Sequence, residues 1–71
     1  MNYVYLVYEQ DVEYAIVEIF KKAFSTIEKA MEYVRSKYSV ELDVKAIEKG
    51  HIKLEFIGEY TQVYIRKIKV E

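Results

Sequence analysis

From Phe24 to Tyr38 the apolar residues recur at helical spacing. Ile27, Ala30, Met31, Val34 and Tyr38 stand at i, i+3, i+4, i+7 and i+11 and form one stripe. Ser25 and Glu28 have the spacing of a capping box, in which the hydroxyl accepts from the backbone N–H of Glu28 and the carboxylate accepts from that of Ser25. The pattern predicts a helix over about 26–37 with Ser25 as its cap, and that role takes precedence over a nucleophilic one. No other stretch carries this period for three turns, so the rest of the chain reads as strand or turn.

Tyr3 to Tyr8, YVYLVY, is aromatic or branched at every position, the composition of a central strand that is apolar on both faces. Glu9 to Glu13 interrupts it, and strand composition resumes from Tyr14 to Ala23, which predicts an antiparallel hairpin over 3–23 with a loop of about five residues. Alternation groups Ala15, Val17, Ile19 and Ala23 on one side and Tyr14, Ile16, Phe20 and Phe24 on the other. Both sides are apolar, and either could meet the helix.

Beyond the helix, Val40, Leu42, Val44 and Ala46 alternate with Glu41, Asp43 and Lys45, a period of two with one wet face. Glu48-Lys49-Gly50 then reads as a hairpin loop with Gly50 in the left-handed conformation, and Gly58-Glu59 as a two-residue loop. Together these turns register a meander over 40–70, setting Val44 opposite Leu54 and Phe56 opposite Thr61 with the apolar residues on one face. Parity fails only at the end, where Ile68 and Val70 join the face of Tyr64 and Arg66; either a bulge near Arg66-Lys67 corrects this, or the last strand leans on something else. The same register opposes Lys45 to Lys53 and Asp43 to Glu55, and directly opposed like charges destabilise a sheet. A short helix over 42–49, with Leu42, Ala46 and Lys49 in line, is the alternative. The reading is an α+β fold, one domain over 1–71, ββαβββ, with an antiparallel sheet and one helix on one face. Five strands about 4.8 Å apart span more than about 20 Å, whereas a helix with its side chains is about 10 Å across. Much of that sheet therefore lacks cover within the chain.

Composition sharpens this shortfall. The chain of 71 residues contains no Cys and one His, which excludes disulfides, thiolate metal sites and His-rich sites as sources of added stability. A chain this short shelters only about 60% of its unfolded surface, which leaves association as the remaining supplement. Eleven Lys or Arg against twelve Asp or Glu, for a net charge of −1, give no overall field towards nucleic acid or anionic lipid. No basic leader with an apolar run opens the sequence and no apolar stretch approaches a membrane span, so a cytoplasmic location and no membrane contact are expected.

The strand VYLVYE, a second apolar strand and the start FSTIEKAMEYV together resemble small uncharacterised proteins of tailed bacteriophages and prophages. In those proteins a V-Y-x-V-Y strand opens the chain and a second strand ends in Phe-Ser/Thr just before a helix with a Glu-Lys-Ala core. The matching residues are Val4, Tyr5, Val7, Tyr8, Phe24, Ser25, Glu28, Lys29, Ala30 and Val34, all in the first half. The resemblance implies a phage or mobile-element accessory protein without assigned catalytic residues, acting by contact with host machinery, including defence systems.

Candidate chemistry is sparse. Glu9, Asp11 and Glu13 alternate as cation ligands could, but lack the glycine and later ligands of a calcium loop, so a solvated hairpin tip is expected. His51 has no second His, nucleophile motif or phosphate loop to work with and reads as a strand-end residue beside Arg66. No catalytic, metal or cofactor site is expected, and hence no enzyme. Lys53, Arg66, Lys67 and Lys69, with Tyr60 and Tyr64 among them, form the one basic and aromatic cluster and the candidate nucleic-acid contact, without an RNP-type signature. Tyr3, Tyr5, Tyr8, Tyr14, Phe20, Tyr60 and Tyr64 are the candidate protein interface, because Tyr joins a large contact area to a polar tip. The leading expectation is a self-associating, non-enzymatic interaction module that occludes a host protein; a homodimeric nucleic-acid binder is the second.

Overall fold

A computed structural model describes residues 2–70. Its elements are β1 (Asn2–Asp11), β2 (Val17–Phe24), α1 (Ile27–Tyr38), α2 (Val44–Glu48), β3 (Glu55–Phe56) and β4 (Thr61–Val70). The strands form one antiparallel sheet in the order β2-β1-β4-β3, so the fold is α+β with both helices on one side. The doubly apolar β1 is central, as its composition requires. It pairs with β4 over ten residues, from Asn2 opposite Val70 to Asp11 opposite Thr61, without a bulge.

The sheet face under the helices is built from Tyr5 and Val7 of β1 and Val63 and Ile65 of β4. The α1 stripe of Ile27, Ala30, Met31 and Val34 closes over β1 and β2, and Leu42 with Ile47 of α2 extends the cover to β4. The α1 cap is Thr26, whose hydroxyl accepts from the Lys29 N–H at 3.2 Å, so the helix begins one residue later than the Ser25 capping box predicts.

Of the two readings of the segment after α1, the strand over 40–47 does not form and the short helix over 42–49 does, as α2 over Val44–Glu48. Its ends are fixed by local chemistry: the Asp43 carboxylate accepts from the Ala46 N–H at 3.1 Å. At the other end Gly50, at φ +84°, donates to the Ile47 carbonyl and His51 donates to the Ala46 carbonyl, each at 2.9 Å. These two bonds are a Schellman ending, so Gly50 is left-handed as predicted but ends a helix rather than turning a hairpin. The opposed pairs Lys45/Lys53 and Asp43/Glu55 do not form, and His51 follows a helix rather than ending a strand.

Two register corrections follow. Ile57 N–H donates to the Thr61 carbonyl at 2.9 Å, so the turn into β4 holds three residues, 58–60, not two. Glu55 then faces Val63 and Phe56 faces Gln62, a slip of one from the predicted pairing that sends Ile57 to the core and Phe56 to the far face. In the first hairpin β1 continues through Glu9 to Asp11, and the strand is interrupted at Lys21 instead, an extra residue between the pairs Tyr8/Phe20 and Val7/Lys22. That bulge reverses the alternation, so Phe24 joins Val17 and Ile19 on the helix side and Ala23 joins Phe20 on the other. Glu9 tolerates its strand position because its carboxylate accepts from the Tyr38 hydroxyl at 2.6 Å and lies 3.7 Å from Lys21 Nζ.

Candidate interaction surfaces

Both helices lie on one side of the sheet, and nothing in the described chain covers the other. Strand alternation brings Val4, Leu6 and Tyr8 of β1 to this open face beside Ile68, Arg66 and Tyr64 of β4, with Ala23 and Phe20 on one flank and Phe56 on the other. Its rings pack on each other: Tyr8 stacks on Tyr64 at a centroid distance of 5.3 Å and meets Phe20 edge-on at 5.6 Å. Phe20 and Phe56 remain 54% and 60% exposed. β4 has no bulge at Arg66-Lys67, so Ile68 and Val70 stay on the open face with Tyr64 and Arg66.

Among the described residues the open face carries one acid and one base. Glu18 accepts from the Tyr64 hydroxyl, and burial followed by this bond holds the Tyr64 pKa well above its ordinary value. The Arg66 guanidinium lies 5.8 Å from the centre of the Tyr8 ring, while its Nε is buried without an acceptor among the described residues.

A second apolar surface occupies the tip of the β1–β2 hairpin and the free edge of β2. Tyr14 is 94% exposed and Ile16 74%, and Val17 and Ile19 continue the patch along the edge strand. Acids gather at the tip: Asp11 and Glu13 line a recess with Tyr14, Val17 and Ile19, Glu18 follows Val17, and Glu59 lies in the turn whose Tyr60 carbonyl accepts from the Val12 N–H. Within the loop, Asp11 Oδ1 accepts from the Glu13 N–H at 2.9 Å, an Asx turn that orders the tip and engages one of the proposed cation ligands. Among the described residues no cluster of three or more His, Asp or Glu is arranged to hold a metal.

The seven candidate interface aromatics separate into distinct environments. Tyr8, Phe20 and Tyr64 share the open face, although Tyr64 itself is 1% exposed beneath its neighbours. Tyr5 is buried under the helices, where burial and then Glu48 raise its pKa. Tyr3 lies on the helix side with Lys67 Nζ 4.3 Å from its ring centre. Tyr14 is in the tip, and Tyr60 is in the turn before β4, where its carbonyl accepts from the Val12 N–H at 2.9 Å. Periodicity placed Ile68 with Tyr64 and Arg66 but missed Leu6 and Phe56 on the open face and Ile16, Val17 and Ile19 on the edge. The available signal was that β1 is apolar at both alternating sets while the helices cover only one.

The four candidate nucleic-acid cations do not converge. Arg66 points to the open face. Lys67 lies on the helix side and donates to Glu48 Oε2 at 3.2 Å and to the Glu48 carbonyl at 3.0 Å. Lys69 is opposite Tyr3, and Lys53 lies in the exposed segment between α2 and β3. A recess of about 590 Å³ lies where the start of β1 meets the start of α1 and is lined by Tyr3, Tyr5, Ser25, Thr26, Glu28 and Glu48, with no His and no activated nucleophile. No helix among the described residues is long and apolar enough to cross a membrane. No protein-family model, no curated protein and no solved structure matches the chain.

Proposed function

We propose that the chain is a non-enzymatic protein-interaction module that binds a partner protein through its hairpin tip and the adjoining β2 edge. The observation that carries this reading is the exposure of Tyr14, Ile16, Val17 and Ile19, of which Tyr14, Val17 and Ile19 line one shallow recess. Such large apolar side chains cost free energy in water, and a partner surface that covers them recovers it. The acids around the patch define that partner as an apolar surface with a basic rim, which the excess of carboxylates would draw in and orient. The free backbone groups of β2 add the option of strand-to-strand pairing. The resemblance of the first half to phage accessory proteins is the basis for placing that partner in a host cell, where occlusion of a regulatory or defence protein is the action we propose.

The test uses Tyr14→Ser and Ile16→Ser together as bait beside the wild-type chain. Both side chains are so exposed that the thermal midpoint should stay unchanged while a host protein retained by the wild type is lost. Its retention by the double variant would remove the tip from the mechanism. Retention that weakens as NaCl rises would identify the basic rim.

A further inference from the structure

We infer that the open sheet face is closed by a second copy of this chain, giving a two-fold αββα sandwich with the helices outside. This rests on reading the protein as an interaction module, but it concerns a different surface from the hairpin tip. Three observations favour the second copy over another occupant.

The first is extent. β1 and β4 are ten residues long, about 33 Å, and three to four strands at about 4.8 Å add roughly 14–19 Å. The face therefore projects roughly 500 Å², and the relief of its side chains raises the accessible area above that. Two such faces reach the ~1,200 Å² at which specific interfaces begin.

The second is charge. Among the described residues one acid and one base stand on this face, so a copy brings no uncompensated charge into the contact.

The third is Arg66. Its side chain stands in the middle of the face and makes no hydrogen bond or ion pair among the described residues; the Nε is sealed beneath its neighbours, so the outer guanidinium nitrogens are the donors that a facing copy can meet. A facing copy offers the side-chain oxygens of Gln10, Gln62 and Glu18, which its own register places on that face. Two sheets packed at the usual spacing of about 10 Å bring such groups within reach of one another.

Sedimentation of the full chain at micromolar concentration should give about twice the 8.5 kDa chain mass. Leu6→Glu, which sets an unpaired carboxylate in the centre of the contact, should weaken the dimer by at least about a hundredfold while far-ultraviolet circular dichroism stays folded. Should Leu6→Glu unfold the chain, Leu6→Cys supplies an independent readout, because the sequence has no other thiol. Its alkylation by a maleimide should be slow in concentrated protein and fast in dilute protein. A wild-type chain that stays monomeric at 100-fold higher concentration overturns the inference, as does a dimer that tolerates Leu6→Glu or leaves the introduced thiol equally reactive throughout. The tip variants Tyr14→Ser and Ile16→Ser should leave the dimer intact, so loss of partner retention and loss of dimerisation fail separately.

Discussion

Tyr64 is almost wholly sheltered although it lies on the side of the sheet that no helix covers. Its shelter comes from the stacked Tyr8 ring and from Glu18, which fixes its hydroxyl. Burial and the hydrogen bond together raise its folded-state pKa above the ordinary value of 10.0, and Tyr38 beside Glu9 is raised for the same two causes. A tyrosine whose pKa is raised on folding contributes stability that is complete below pH 10 and is lost as pH climbs towards the folded-state value. Denaturant midpoints should therefore hold from pH 7 to about 9.5 and fall between pH 10 and 12. Tyr64→Phe should cost about 1 kcal/mol at pH 8 and make the alkaline decline shallower, with Tyr38 and Tyr5 among the groups that supply what remains. A decline of undiminished slope in the variant would place its origin elsewhere. Gly50 is a second residue whose conformation decides its identity. A Cβ there meets nothing within 4 Å, so any loss in Gly50→Ala is backbone strain at φ +84°. About 1 kcal/mol is expected, with Gly50→Asn losing less.

At the scale of elements, α2 is the piece whose origin is least apparent from hydrophobic pattern. Val40, Leu42, Val44 and Ala46 alternate as a strand would, and five helical residues are too few for a 3.6 period to register. What makes it helical is at its ends, the Asp43 cap and the Gly50 terminus, and these are legible once caps are weighed above alternation. Asp43→Ala should therefore cost about 1 kcal/mol, and Ile47→Ala, at a fully buried position, about 2–5 kcal/mol, read from urea midpoints. No loss from Asp43→Ala beside a full loss from Ile47→Ala would mean that docking, not capping, sets the helix. α1, by contrast, followed from the stripe Ile27, Ala30, Met31 and Val34, and central β1 followed from its two apolar faces. Neither the bulge at Lys21 nor the three-residue turn at 58–60 has a local signature, since neither position carries a demanding Gly, Pro or Asn beyond Gly58. The exposure of Tyr14 and Ile16 was likewise invisible, because whether a greasy loop is covered depends on what folds over it. The bulge makes its own prediction. Deleting Lys21 leaves Tyr8/Phe20, Val7/Lys22 and Tyr5/Phe24 in regular register, so the variant should fold, at a cost near the ~1 kcal/mol of its half-buried ion pair with Glu9. Deleting Lys67 from the straight β4 instead forces a one-residue slip that turns Ile68 towards the helices, and cooperative unfolding should be lost.

The whole molecule joins a helix-covered face, which builds the core, to an open face and an apolar tip, which build nothing within one chain. A subunit whose core is one face of a four-stranded sheet under two short helices has little stability in reserve. If a second copy closes the open face, folding and association are linked, and the stability measured must depend on how much protein is present. A tenfold rise in chain concentration adds about 1.4 kcal/mol per dimer to the folded side. Unfolding entropy near 2.1 cal/mol/K per residue, taken over two chains of 71 residues, converts this to a rise in thermal midpoint of roughly 5 °C for each tenfold step. Leu6→Glu should abolish that dependence and leave a single, lower midpoint, whereas Tyr14→Ser should preserve it, because the tip lies outside the sandwich. Sulfate should raise the wild-type midpoint more than the Leu6→Glu midpoint, since salting-out favours burial of the apolar face. A wild-type midpoint constant from about 5 to about 500 μM, a span of two such tenfold steps, would instead mean that each chain holds itself together with half its sheet in water.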